Sequence, residues 1–255
     1  AAYLKNTPVE ITEAEVPIRF RRYGLASGTG GAGRWRGGLA THMEFQVFTP
    51  NTRITARNRD RCRFQAWGVL GGKAGRGSSM SLNPGRPDMR VLNNIDTFTA
   101  DPGDIVSIVS PGGGGRGDPL DREAERVLRD VVCNYVAIAD AEAEYGVVLT
   151  GMGVDLAVDL PATEVLRAQR RRNEPHPHFH FGAAREAYER VWTRGAYDAM
   201  TALLASLPVH WRFFVKRKLM EGLKREGSGA ADVQAVWQAL LAELPYMRPQ
   251  QVAAE

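Results

Sequence analysis

The hydrophobic pattern of the chain changes near residue 119, and this change constrains the fold more than any other sequence feature. Before it, apolar and polar residues alternate, as they do on half-buried β-strands. Clusters of glycine, proline and asparagine separate the alternating segments at the spacing of an all-β sandwich or barrel. The predicted strands include two alternating sets, Val16-Ile18-Phe20 and Met43-Phe45-Val47, and the runs 53–56 and 104–109.

After Pro119 the apolar residues recur at helical spacing. A first helix is predicted from Ala124 to Val131, behind an acidic turn. A second short helix over 139–144 should end at Gly146, because glycine readily adopts the left-handed conformation that closes a helix. A closing strand is expected at 147–149, and further helices are predicted near 161–172, 183–206, 208–225 and 230–243.

These patterns together predict an α+β fold. A β-rich, sandwich- or barrel-like domain with two closing helices should occupy residues 1–150, and a mainly helical extension should occupy 151–255.

Composition excludes several classes of protein. The chain has 255 residues, 44% hydrophobic and 24% charged, which is ordinary globular usage and excludes wholesale disorder. A net charge of +4 is too small to indicate nucleic-acid binding. Cys62 and Cys133 lack any metal-finger spacing, and no apolar stretch is long enough to span a membrane. We therefore expect a soluble, cytoplasmic protein that binds neither nucleic acid nor membrane.

Two glycine motifs resemble nucleotide-binding signatures without their required context. Residues 28–33 match G-x-G-x-x-G, but no helix start follows, as a dinucleotide site would need. Residues 71–74 contain Gly-Gly-Lys but lack the Ser or Thr that follows the lysine of a P-loop. Both are better interpreted as glycine-rich turns.

The most unusual segment is 111–119, which contains four successive glycines. Such a run is costly to order, so it needs a physical reason. One interpretation is a nest of backbone amides that binds an anion, with Arg116 adding charge. The other, which we favour, is close backbone packing that leaves no room for a Cβ atom. The candidate binding residues are Gly113, Gly114, Gly115, Arg116 and Asp118.

A second candidate binding cluster surrounds Asp60. Arg57, Asp60 and Arg61 lie close together in sequence, and arginine forks suit anionic ligands. A self-satisfied network of surface ion pairs is the favoured alternative.

Three alternate histidines form the one metal-ligand pattern in the sequence. On an extended strand His176, His178 and His180 would point to one side, with Glu174 on the same face. Prolines at 175 and 177 favour an exposed linker instead.

Signatures of self-sufficient catalysis are missing. The sequence contains no G-x-S-x-G elbow, no H-E-x-x-H motif and no nucleophilic cysteine with a neighbouring histidine signature. We therefore expect the chain to need other polypeptides for any reaction.

In combination, several segments resemble the C-terminal half of the hydantoinase B/oxoprolinase family over residues 3–149. One departure is Gln65-Ala66, which stands where the family has prolines. The matching segments are Asn6 to Glu10 with Glu13 and Pro17, the run 30–38, Asp60-Arg61 with Trp67-Gly68 and Gly71-Gly72, the run 111–119 with Asp121-Arg122, Asp130-Val131, and Tyr145 to Val147.

The resemblance implies a multisubunit, ATP-dependent hydrolase that opens cyclic amides such as hydantoins and 5-oxoproline. It implies a hydantoinase A-type partner that holds ATP and Mg²⁺ and activates the substrate carbonyl by phosphorylation. The N-terminal half of the hydantoinase B-type subunit would be a second partner, with any divalent metal held there. The alternatives are an acetone- or acetophenone-type carboxylase subunit acting on a ketone, and a non-catalytic assembly module.

Overall fold

The computed structural model describes residues 7–56, 61–92, 97–171 and 175–247, and it divides into two compact units. The first unit ends at Gly182 and the second begins at Ala183. The first combines sheets with helices and the second is built from helices, so the α+β class is confirmed.

The first unit is organised around a five-stranded antiparallel sheet. Its order is β1-β2-β8-β5-β6. The alternating apolar sets of the sequence lie on β1 and β2, which pair with Phe20 opposite Phe45. A separate ribbon joins β3 to β7. The strands are β1 (Ile18–Ala26), β2 (Ala40–Val47), β3 (Thr52–Thr55), β4 (Gly68–Val69), β5 (Ser79–Leu82), β6 (Arg90–Val91), β7 (Thr97–Ala100) and β8 (Ile105–Val109).

The core of this unit lies between the sheet and the β3–β7 ribbon. Val47, Val106 and Met80 from the sheet and Phe98 from the ribbon are all buried in one cluster. Burial of such side chains contributes about 1.5–3 kcal/mol each, which makes the cluster the main stabilising feature of the layer.

Two helices close one end of the first unit, as the sequence predicts. They are α2 (Ala124–Val132) and α3 (Ile138–Tyr145), and a 3₁₀ turn at Pro119–Asp121 precedes them. Gly146 follows α3 with φ +60°, so the predicted left-handed cap is confirmed. Val127 and Tyr145 pack with Ala32 in a second buried cluster.

The segment after residue 150 belongs to the first unit as far as Gly182, whereas the composition of the sequence places a boundary at 150. Strand β9 (Leu149–Thr150) pairs with β10 (Ala157–Val158), and α4 (Leu160–Arg170) follows. Strand β11 (Phe179–His180) pairs with β4.

The second unit contains four helices: α5 (Ala183–Val191), α6 (Arg194–Ser206), α7 (Val209–Gly222) and α8 (Ala230–Glu243). The prediction of one helix over 183–206 is wrong, because the chain breaks at Trp192-Thr193. The Thr193 hydroxyl accepts a hydrogen bond from Ala196 N (3.3 Å) and donates one to Ser228 O (2.6 Å). It therefore caps a new helix and fixes the break.

One helix near the start of the chain differs from the sequence-based expectation. Residues Val9–Glu15 form a short helix, here called αN, where the sequence indicates an immediate strand. Among the residues that the structure describes, no helix has the length and apolar character needed to cross a membrane.

Candidate functional site

Three glycine-rich segments of the first unit lie side by side. They are residues 28–38, 66–77 and 112–117, and together they are called the glycine layer. Gly31 N donates to Gly113 O (2.8 Å), Lys73 N donates to Ala32 O (2.7 Å), and Gly115 N donates to Lys73 O (2.9 Å). Each segment is therefore hydrogen-bonded to the other two.

Glycine is required in this layer because the backbones approach too closely for side chains. A Cβ atom at Gly31, Gly72 or Gly115 would lie closer than 3.0 Å to backbone atoms of a neighbouring segment. Real Cβ atoms do not occupy such positions, so each of these sites excludes even alanine.

The same geometry decides between the two interpretations of residues 111–119. The amides of Gly113, Gly115 and Arg116 donate to Gly38 O, Lys73 O and Trp35 O, each at 2.9 Å. Those amides are unavailable to an anion, so the nest interpretation does not hold for them. Gly114 is also a packing residue, because its Cβ would collide with Trp67 O. The Arg116 side chain is exposed.

The G-x-G-x-x-G match at 28–33 forms part of the glycine layer. As the sequence analysis expects, no helix follows it; the next regular element is β2. The Gly-Gly-Lys match at 71–74 lies in the second segment of the layer, where the amide of Lys73 is used by Ala32 O.

A buried charge network joins the glycine layer to the closing helices. Arg36 Nε and Arg122 Nη2 both donate to Asp130 Oδ2, at 3.2 and 2.9 Å. Arg122 Nη1 also donates to Arg34 O (3.0 Å). The side chain of Asp130 is 8% exposed, so this carboxylate balances two arginines away from solvent.

A cleft of about 200 Å³ opens between the glycine layer and α3. The layer contributes Lys73 and Arg76 to its lining, and α3 contributes Asp140, Glu144 and Tyr145. Asp140 and Glu144 are four residues apart, so they lie on one face of the helix. The cleft therefore places two basic side chains opposite two carboxylates.

Local electrostatics distinguish the groups that line this cleft. Lys73 Nζ forms an ion pair with Glu144 Oε2. Tyr145 is 2% exposed, and its burial raises the pKa of the phenol to about 12, so the hydroxyl is protonated at neutral pH. A protonated phenol can both donate and accept a hydrogen bond.

Asp118 and the histidine segment are brought together by the fold. Asp118 Oδ1 accepts from Leu120 N (2.8 Å), and Asp118 Oδ2 lies 3.0 Å from His176 Nε2. His180 Nδ1 accepts from Ala74 N (3.1 Å), and the backbone oxygen of His178 accepts from Leu70 N (2.9 Å).

Within the described ranges, no group of three or more His, Cys, Asp or Glu side chains is arranged to hold a metal ion. The fourth predicted ligand, Glu174, lies outside the described residues. A metal site that uses His176, His178 and His180 therefore stays a prediction.

The predicted Asp60 cluster falls mostly outside the described residues, since Arg57 and Asp60 both lie there. The guanidinium of Arg61 stands 5.3 Å from the ring centre of Trp67, and its Nη1 donates to Gln65 O (2.9 Å). Arg61 is therefore held by an aromatic face and a carbonyl of its own segment.

Sequence reasoning missed the lining of the cleft. The available signal was Asp140 and Glu144, two carboxylates at helical spacing immediately before the Gly146 cap. Lys73 belongs to the incomplete P-loop match, and the cleft uses its side chain without that motif. Arg76 carries no motif signal at all.

Comparisons with known proteins agree on one family. Residues 2–119 match the model of the family described as Hydantoinase B/oxoprolinase. The chain is 35% identical over 176 residues to the beta chain of the caprolactamase of Pseudomonas jessenii, and the match covers 65% of this chain and 28% of that protein. It is 30% identical over 151 residues to the B component assigned to a D-/L-hydantoinase of Pseudomonas sp. strain NS671, covering 58% and 25%.

A solved structure extends the similarity to the whole fold. The nucleotide-free structure of acetone carboxylase matches with a TM-score of 0.54 and 19% identity, covering 98% of this chain and 34% of the carboxylase chain. At this identity the match shows the fold alone. The chain spans between 25% and 28% of the length of the two curated relatives above.

Proposed function

Because residues 2–119 belong to the hydantoinase B/oxoprolinase family, we propose that this chain is a component of an ATP-dependent cyclic-amide hydrolase. The similarity to components of a caprolactamase and a hydantoinase carries the proposal, since both names denote enzymes that open cyclic amides. Both relatives are named as parts of multisubunit enzymes, which supports a complex in which a hydantoinase A-type chain binds ATP.

The described residues do not themselves fit a nucleotide. Phosphate groups bind to free backbone amides at glycine-rich turns, and the glycine layer uses those of Gly31, Gly113 and Gly115 for its own carbonyl contacts. We therefore place ATP and Mg²⁺ on the partner and derive no reaction step through them on this chain.

What this chain contributes, on this proposal, is a rigid surface with a charged cleft. Unstrained amides hydrolyse slowly, so the reaction depends on activation and on accurate positioning of the substrate. The glycine layer suits positioning because its three backbones are cross-linked and closely packed. Lys73, Arg76, Asp140 and Glu144 stand on this support or directly against it.

The experiment is to co-purify the complex and measure ADP release with a panel of substrates. Hydantoin, 5-oxoproline and caprolactam test the hydrolase, and acetone or acetophenone with bicarbonate tests the carboxylase alternative. We expect ADP release that depends on a cyclic amide and does not require bicarbonate. ADP release only with a ketone plus bicarbonate would assign the carboxylase reaction, and none with any substrate would indicate an assembly module.

Arg116 is the exposed cation of the glycine layer that the sequence singles out, and its side chain is free to meet a ligand or a partner. We expect Arg116→Ala to lower the rate of amide-dependent ADP release at least about tenfold. Arg53→Ala, an exposed arginine on β3, is the matched control. An unchanged rate in Arg116→Ala would remove Arg116 from the site.

A further inference from the structure

The cleft between the glycine layer and α3 carries one free charge of each sign. Lys73 and Glu144 neutralise each other. Arg76 and Asp140 also line the cleft, and neither forms an ion pair with any residue that the structure describes. Two unpaired opposite charges in one small cleft suit a ligand that carries both charges itself.

A buried hydroxyl adds a neutral polar group to the same lining. Tyr145 is 2% exposed, and within the described part of the chain its hydroxyl has no hydrogen-bond partner. Buried polar groups without a partner cost free energy, so they are commonly satisfied by water or by a ligand. This observation is independent of the charges.

The size of the cleft limits the ligand. Its volume of about 200 Å³ is below the roughly 300–1,000 Å³ of pockets that enclose drug-sized molecules. A nucleotide would not be enclosed, whereas a short-chain molecule with a charged group at each end would be.

We propose that this cleft binds a zwitterionic amino acid, with its carboxylate on Arg76 and its ammonium on Asp140. The identification of this ligand as a reaction product rests on the proposed function. Hydrolysis of a cyclic amide breaks the C–N bond, adds the oxygen of water to the carbonyl carbon and leaves the water protons on the products. A carboxylate and an amine, protonated at neutral pH, then stand at the two ends of one molecule. The cleft is thus the place where the ring-opened product is held.

Isothermal titration calorimetry of the full chain tests this directly. The probes are 6-aminohexanoate, an ω-amino acid, and glutamate, an α-amino acid; hexanoate and hexylamine carry only one charge each. We expect at least one amino acid to bind about tenfold or more tightly than either singly charged compound, because each lost charged contact weakens binding by about that factor or more. The preferred amino acid then indicates whether the enzyme opens a lactam or a five-membered ring.

Two variants and two matched controls locate the site. Arg76→Gln and Asp140→Asn should each weaken binding at least about tenfold. Arg53→Gln and Asp155→Asn remove the same charges from exposed positions outside the cleft and should leave binding unchanged. Arg76 and Asp140 have no ion pair to lose, so both variants should keep the unfolding temperature of the parent.

The proposal is overturned if neither amino acid binds at about 10 mM, if hexanoate binds equally well, or if Arg76→Gln binds like the parent. Turnover by the complex is a separate measurement. Amide-dependent ADP release without binding in the calorimeter would remove this inference and keep the proposed function. Binding without any ATP-coupled ring opening would do the reverse.

Discussion

Gly115 shows how one residue type determines the candidate site. Its amide donates to Lys73 O (2.9 Å), and its Cα faces the backbone of Ala32 so closely that a Cβ would collide. The sequence reveals that four glycines occur together, but the pairing of each with a distant backbone depends on the tertiary fold. Close packing could therefore be predicted here, whereas its partners could not.

We expect Gly115→Ala to destabilise the first unit by about 2–3 kcal/mol, because overpacking forces two backbones apart. Gly38→Ala is the matched control: it lies in the same layer, and a Cβ there would meet nothing within 4 Å. Urea unfolding followed by tryptophan fluorescence measures both. Equal free energies of unfolding in the two variants would contradict the steric account.

Asp130 is the residue on which two buried arginines depend. Asp130→Ala should cost about 3–5 kcal/mol, because it leaves Arg36 and Arg122 without their shared carboxylate. Asp121→Ala removes a carboxylate whose partner, Arg171, is 58% exposed, and should cost at most about 1 kcal/mol. Urea unfolding of both variants gives the comparison. A similar small loss in each would show that the network contributes little.

His42 predicts a pH dependence of stability. Burial lowers its pKa below 6.5, Arg22 lowers it further, and Glu44 partly opposes them. The unfolded chain then binds a proton more readily than the folded chain, so stability should fall as pH drops below about 6.5 towards the folded pKa. The free energy of unfolding, measured over roughly pH 5 to 8, should depend less steeply on pH in His42→Gln. Identical slopes would exclude this histidine as the cause.

At the scale of elements, the patterns that depend on neighbouring residues were predictable. Gly146 ends α3 as expected, because helix termination is a local property. The break before α6 was missed, because it depends on the contact of Thr193 with Ser228, which is 35 residues away along the chain. The cleft was missed for the same reason: α3 and the glycine layer meet only in the folded chain.

The arrangement of segments after residue 150 also exceeds what local pattern shows. Composition shifts there, but α4 contacts the closing helices. Arg167 Nε donates to Tyr145 O (3.0 Å), and Arg167 Nη2 donates to Arg122 O (2.7 Å). These bonds tie α4 to the residues behind the cleft.

At the scale of the whole molecule, the two compact units predict different results for two truncations. A chain of residues 1–182 should keep the unfolding midpoint of the first unit, because it contains that unit entirely. A chain of residues 1–150 should lose several kcal/mol, because it lacks α4 and the strand that pairs with β4. Urea unfolding of both fragments measures the difference. Equal midpoints would instead support a boundary near residue 150.

The most direct test of the account is reconstitution with and without this chain. The hydantoinase A-type partner and the remaining hydantoinase B-type polypeptide are mixed with ATP and a cyclic amide, and the ring-opened amino acid is quantified together with ADP. We predict that the amino acid and ADP form together only when the 255-residue chain is added, and that the chain alone forms neither. Ring opening at an ordinary enzymatic rate by the chain alone, or an undiminished rate in its absence, would contradict the account.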